Sequence, residues 1–332
     1  MADARESGPE RDLVGHGRRP PPAVWPGAAR LAVCFVVNDE EGSEYNVPED
    51  GRAETYGLGY EFPRDRRNLR LESDYEYGSR VGVWRLFDLF RRYEVPITVH
   101  ATAVAIERNP EVGAAIAELG FEPCAHGYRW EEPWTLEPEA ERERIELAVA
   151  SLQRTCGRRP VGWYSRYGPG PNTRRLVAQE GGFFYDADAY NDDLPYFVDV
   201  AGSRHLVVPY SGVYNDGRLA AVSDADGLLA LVRRAVDYIW REGEERPWLL
   251  TVGPHPRLSG HAGRCSALQE LIEHCLGLGG VWFARLGFLR SRSNRPSFSI
   301  SPIGTRQARS GSAKSPRCSR PTSPSAPTIR AT

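Results

Sequence analysis

The chain has 332 residues, 41% of them hydrophobic and 26% charged, with a formal net charge of −2. A chain of this kind is globular and can bury a large core. No run approaches the roughly 18 apolar residues that a membrane helix needs, so pervasive disorder and a membrane-spanning role are excluded. Of the 42 basic residues, ten lie from Arg285 onward, where there is no Asp or Glu; the body before that point is therefore acidic, which argues against a nucleic-acid-binding domain.

Residues 1–29 are polar and proline-rich and are expected to lie as an arm over a folded body. Apolar runs then follow at 31–37, 95–101, 121–124, 161–164, 183–185, 205–209, 248–252 and 281–283, and these read as strands. Between most of them lie helical patterns. Residues 80–93 gather Val83, Trp84, Leu86, Phe87 and Phe90 on one side. Residues 137–156 have Thr135 as a candidate N-cap, acids in the first turn, apolar Ile145, Val149 and Leu152, and Gly157 at the end. Residues 224–240 carry Leu228, Val232, Ala235 and Ile239 after a Ser223 cap.

Strand-like runs separated by helices indicate an α/β chain with a parallel sheet, and their number points to a (β/α) barrel. An open doubly wound sheet is the competing reading. It needs a GxGxxG loop after the first strand, and NDEEGSEYN contains none. Six scattered cysteines with no close CxxC pair, and an N-terminus without the apolar core of a secretory signal, suggest reduced thiols in the cytoplasm.

In such a barrel the chemistry sits where strands end. After the first run come Asn38, Asp39, Glu40 and Glu41; after the third, His126; after the fourth, Arg166; after the fifth, Asp186 and Asp188; after the seventh, His255. Two imidazoles, a carboxylate cluster and an arginine suit amide hydrolysis, which needs a base for water, an acid for the leaving nitrogen and donors for the oxyanion. Glu40 or Glu41 is the candidate base, His255 the acid and Arg166 a donor. Neighbours in an extended strand face opposite ways, so only one of the two glutamates faces the centre unless the strand has ended.

These residues, with RDLVGHG, NDEEG, ESDYEYGSRVGVWR at 72–85, CAHGYRW, GWYSRYGPGPNTRRL, DDLPY and the loop around His255, resemble the polysaccharide deacetylase (NodB-homology) superfamily. The likeness extends over about residues 10–285 and is to its allantoinase branch. It implies a distorted (β/α) barrel of the polysaccharide deacetylase type that hydrolyses a carbon–nitrogen bond other than a peptide bond. The family's first motif holds a base and a metal-binding carboxylate, here Glu40 and Glu41. Its His-x-x-x-His motif reads His126 and Trp130, so one ligand is missing. A catalytic zinc keeps three protein ligands, and an indole offers no lone pair. No metal is therefore expected; if one is present its ligands are Glu41 and His126, with Asp39, Asp188 or His100 as a third.

By the same resemblance the substrate is allantoin, opened to allantoate, with Glu40 as base, His126 as a substrate or oxyanion contact, His255 as acid, and Arg166 with Asp186 as an orienting pair. The partner expected is a small-molecule substrate, neither nucleic acid nor membrane, and a homo-oligomer follows from the resemblance alone. Asn38 is a further candidate substrate contact. Trp130 and Trp163 are core aromatics or substrate platforms; Glu76 and Arg80 cap a helix or reach the pocket; Asp193 shapes a loop or touches substrate. His205 reads as a satisfied or surface histidine, and Arg174 as part of a solvated face. The alternatives are a cyclic imide hydrolase, an N-acetyl sugar deacetylase, or an inactive barrel that binds partners. The chain divides into the arm (1–29), the barrel (30–285) and a basic Ser/Pro/Arg-rich tail (286–332), expected to be disordered and to be out-of-frame translation, with an RNA-binding tail as the other reading.

Overall fold

The computed structural model describes residues 8–18, 20–21, 23–55, 61–219 and 224–289. Strand β1 (Leu31–Asp39) is buried along its whole length. Its side chains alternate between two cores: Leu31, Val33, Phe35 and Val37 pack against the outer helices, whereas Ala32, Cys34 and Val36 fill the interior of the sheet's curl. Parallel partners cover both edges. Strand β2 (Ile97–Ala101) pairs with residues 35–39 of β1, while β8 (Trp248–Val252) and β9 (Val281–Phe283) pair with its first half.

The sheet continues through β3 (Glu122–Ala125), β4 (Gly162–Trp163), β5 (Tyr185–Asp186) and β7 (Ser203–Val207), all parallel. Neighbours follow nearly in chain order, with no reversal of the doubly wound kind, so the sheet curls into the expected distorted barrel. One strand was not anticipated. Strand β6 (Tyr196–Val200) runs antiparallel to β7 through a tight turn at Ala201 and Gly202, both at positive φ.

The curl is not closed by a regular ladder. Residues 211–216 run beside β8 instead, joined by the Asn215–Gly253 bridge, by Gly253 N–H to the Tyr214 carbonyl at 3.1 Å and by Ser211 N–H to Thr251 Oγ1 at 2.6 Å. The other end of the interior is plugged by chain beyond the expected boundary at 285. Leu286 and Leu289 are buried there, and Gly287 N–H donates to Glu122 at 3.0 Å. Residues 290–332, which hold the rest of the predicted tail, lie outside the described residues.

The helix expected at 80–93 starts earlier. Asn68 caps it by accepting from Leu71 N–H, and the helical path runs through Leu69–Tyr77, a π turn at Gly78–Gly82 and Val83–Arg92. Glu76 and Arg80 therefore lie inside it and do not cap it. The helix Pro138–Thr155 begins after Glu137, and Thr135 bonds the Glu132 carbonyl in the preceding turn. Helix Ala225–Glu242 is capped by Asp224, which accepts from Gly227 N–H; Ser223 lies outside the described residues. Cys34, Cys124, Cys156, Cys265 and Cys275 are free buried thiols, and among the described residues no helix is long and apolar enough to cross a membrane.

The π turn lets this helix press against the loop after β8. A Cβ on Gly82 would lie 2.1 Å from the Pro256 carbonyl oxygen, and one on Gly260 2.4 Å from Gly82 Cα. Both contacts are with backbone, which cannot swing aside. Gly82→Ala is accordingly expected to cost about 2–3 kcal/mol or more, measured as a lower urea midpoint; an unchanged midpoint would contradict this packing.

Candidate active site

Strand β1 ends at Asp39 because the chain folds back: Ser43 N–H donates to the Glu40 carbonyl at 3.0 Å and Gly42 takes φ of 101°. Once the strand has ended, Glu40 and Glu41 no longer face opposite ways, and both reach one guanidinium. Arg257 Nη2 is 2.9 Å from Glu40 Oε2, and its Nη1 is 3.2 Å from Glu41 Oε1. Glu41 also accepts Arg257 N–H and Glu40 N–H, each at 3.0 Å. Its carboxylate is thus a clasp between the two loops.

Glu40 is the hub. Its Oε1 lies 3.0 Å from His126 Nε2 and 3.1 Å from Arg166 Nε, and its Oε2 lies 3.8 Å from His255 Nε2. Burial by itself would raise this carboxyl. The guanidiniums of Arg166 and Arg257, followed by His255 and the His126 bond, outweigh burial and hold it well below the usual carboxylate range. The magnitudes agree in sign: burying an ion costs several kcal/mol, and a unit charge about 3 Å away returns roughly 5 kcal/mol at an effective dielectric near 20. Glu40 Oε2 has close cations but no well-directed hydrogen bond, so it can still accept a ligand donor.

His126 is held between the Tyr164 carbonyl, 2.7 Å from Nδ1, and Glu40 Oε1, 3.0 Å from Nε2; both partners only accept, so the ring donates at both when it is protonated on both nitrogens. Burial lowers its pKa, and the bond to Glu40 opposes that. His255 Nδ1 bonds Asp216 Oδ1, and Asp216 Oδ2 accepts His255 N–H at 2.9 Å and Ser259 Oγ at 2.6 Å. A carboxylate only accepts, so it holds the imidazole with a proton on Nδ1 and turns Nε2 toward Glu40. The seam along β8 is what brings Asp216 here.

Arg166 lies flat over Trp130, 3.6 Å from the ring centroid, and 4.1 Å from that of Tyr167. Trp130 is fully buried and meets Tyr75 edge-on. At the position where the family motif has a second histidine, this indole supports a guanidinium. The donor set does not fit a divalent metal. Glu41 is committed to Arg257 and the Glu40 amide, His126 Nε2 to Glu40, and Trp130 has no lone pair. Among the described residues no group of three His, Cys, Asp or Glu could hold a metal ion.

The other expected residues scatter. Asn38 faces the barrel interior, donating to the Val36 carbonyl at 3.2 Å and lying 3.2 Å from His100 Nδ1. His100 is wholly buried, which drives its pKa well down, so it is neutral. Asp186 does not pair with Arg166: it takes Arg174 at 2.9 and 3.1 Å and His205 at 2.8 Å. Arg174 therefore belongs to a buried ion pair and not to a solvated face. Trp163 packs in the outer core and donates to Ser165 Oγ at 2.9 Å, so it is no platform. Asp193 lies at the opposite end of the barrel, its carbonyl accepting from Leu249 N–H at 3.1 Å near the start of β8. Glu76 and Arg80 form an exposed pair 3.7 Å apart that lines a separate cavity of about 380 Å³, which shares Glu41 with the centre. Burial, then Glu41 and Glu40, push the Asp39 carboxyl well above the usual carboxylate range.

Sequence reasoning missed Asp216 and Arg257. Neither directly follows an apolar run; the available signal was that Arg257 stands two residues after His255 in GPHPRLSG.

A sequence profile of the family described as polysaccharide deacetylase matches residues 70–185. A Schizosaccharomyces pombe protein named as a candidate polysaccharide deacetylase is 38% identical over 301 residues, 82% of this chain and 93% of that one. A probable polysaccharide deacetylase from Pseudomonas aeruginosa PAO1 has a crystal structure that superposes with a TM-score of 0.79 at 44% identity, covering 83% of this chain and 95% of that one. The crystal structure of PuuE allantoinase superposes at 0.80 with 43% identity, covering 83% and 94%. With this fold, these motif positions and a full-length relative above 30% identity, the chain belongs to the polysaccharide deacetylase family of hydrolases.

Proposed function

We propose that this hydrolase is an allantoinase that opens the hydantoin ring of allantoin to allantoate without a metal. The observation that carries the reading is the Asp216–His255 couple facing a carboxylate held by two guanidiniums. His255 Nε2 and Glu40 Oε2 are two acceptors close enough for one water to donate to both. His255 takes the water's proton as its oxygen attacks the ring carbonyl. Arg166 and Arg257 supply the positive field for the oxyanion. The carbon–nitrogen bond then breaks, and His255 returns the proton to the leaving ring nitrogen.

This assigns the base role to His255 and not, as the motif comparison alone implied, to Glu40. A carboxylate held well below its ordinary range is a weak base, whereas an imidazole oriented by Asp216 presents Nε2 to the water. Glu40 orients the water and receives a ring N–H. His126 remains a substrate contact.

Substrate size follows from burial. Even Arg166, the most accessible of the groups around Glu40, has a side chain only 13% exposed. That favours a small planar ring with alternating carbonyls and N–H groups, matched by carboxylate and guanidinium, over a polysaccharide chain. The similarity to PuuE allantoinase supports the same choice.

Incubation with allantoin, dihydropyrimidines, succinimide and N-acetylglucosamine oligomers is expected to release product from allantoin alone; turnover of the oligomers and not of allantoin would overturn the reading. Glu40→Gln and His255→Ala should each lower kcat by about 10²–10⁴-fold, and Asp216→Asn should come within about ten-fold of His255→Ala because the wrong tautomer results. Near-normal turnover in all three would end the mechanism. Asp39→Asn should leave turnover and the melting midpoint close to those of the parent, since burial and the neighbouring Glu41 and Glu40 favour an uncharged group there; a large loss would show that Asp39 acts ionised.

A further inference from the structure

Outside the Glu40 centre the buried Asp186, Asp188 and His205 cluster with the part-buried Arg174. The mechanism above uses none of them. Arg174 and His205 are occupied by Asp186. Asp188 turns the other way, toward the chain that leaves β4. Its Oδ1 accepts Ser165 N–H at 2.8 Å, and its Oδ2 accepts the Ser165 hydroxyl at 2.7 Å. The backbone of Asp188 is itself anchored: its N–H donates to Asp186 Oδ1 at 3.0 Å, and its carbonyl accepts Arg174 Nη2 at 3.1 Å.

Ser165 sits between two residues that serve the centre. Tyr164 offers its carbonyl to His126, and Arg166 reaches Glu40. Tyr167 has φ of 69°, a conformation a bulky residue adopts only when its surroundings impose it, and its hydroxyl donates to Glu54 at 2.7 Å. The last backbone bond to the neighbouring strand is Tyr164 N–H to the Ala125 carbonyl at 2.9 Å, so the course of the turn from Ser165 onward depends on side-chain bonds.

We propose that Asp188 is a positioning residue: by gripping Ser165 at two atoms it sets the turn that aims the Arg166 guanidinium at Glu40. Asp188 acts through Arg166 and touches no substrate. The activity part of the test rests on the allantoinase reading; the labelling part does not.

The experiment compares wild type, Asp188→Ala, Arg166→Met and the double variant. In turnover of allantoin, Asp188→Ala should lower kcat by about a hundred-fold, the scale of an ångström-level misplacement. The double variant should be no slower than Arg166→Met, because a residue acting only through Arg166 has nothing further to lose. In peptide-resolved phenylglyoxal labelling of the folded proteins, Arg166 should react faster in Asp188→Ala while Arg257 stays at its wild-type rate. Additive losses of kcat, unchanged labelling of Arg166, or a parallel rise at Arg166 and Arg257 would each overturn the proposal. A wild type inactive on allantoin would sink the substrate reading and leave the labelling to decide this one. If Asp188→Ala does not fold, Ser165→Ala, which removes the hydroxyl's bonds to Asp188 and to the Trp163 indole, should show the same selective rise at Arg166 while Trp163→Phe, which removes the indole bond alone, should not; no rise in Ser165→Ala, or an equal rise in Trp163→Phe, would refute the grip.

Discussion

A carboxylate sealed inside a protein must be met by positive charge, and Glu40 is sealed almost completely. Two arginines meet that demand. Arg257 arrives from the loop after β8 and is steadied by Glu41; Arg166 arrives from the turn after β4 and is steadied by the face of Trp130. At the position where the family motif has a metal-binding histidine, Trp130 supports the guanidinium that meets Glu40.

The rest of the architecture follows from getting these groups to one point. The end of β1 at Asp39 frees Glu41 to hold Arg257. The π turn at Gly78–Gly82 brings a helix close enough to seal Glu41, since a Cβ on Gly78 would lie 2.6 Å from its Cγ. The irregular seam at 211–216 trades ladder hydrogen bonds for the placement of Asp216 behind His255. Departures from regular structure thus concentrate where the site needs a particular approach, as expected when function competes with ideal geometry.

Much of this was legible in the sequence, for a physical reason. Continuous apolar runs mark buried parallel strands, and the residue after each run falls at the barrel's functional end; that rule alone found Glu40, His126, Arg166 and His255. It failed where position depends on pairing between distant segments. Asp216 follows a short turn and is placed by its contact with β8. Asp186 stands where the rule predicts, yet Arg174 and His205 take it, and only packing decides between arginines. Strand β6 escaped notice because its turn, Ala-Gly, lacks the usual Asn-Gly signal. The start of the helix at Leu69 was hidden by the polar, sparsely apolar segment that precedes its buried face.

In the proposed mechanism guanidinium charge does the work of a metal at Glu40. The most direct test is elemental analysis of the purified protein together with turnover of allantoin before and after exhaustive chelation. The expected result is no stoichiometric metal and undiminished turnover after chelation. Stoichiometric zinc, with activity lost on its removal and restored on its return, would contradict it.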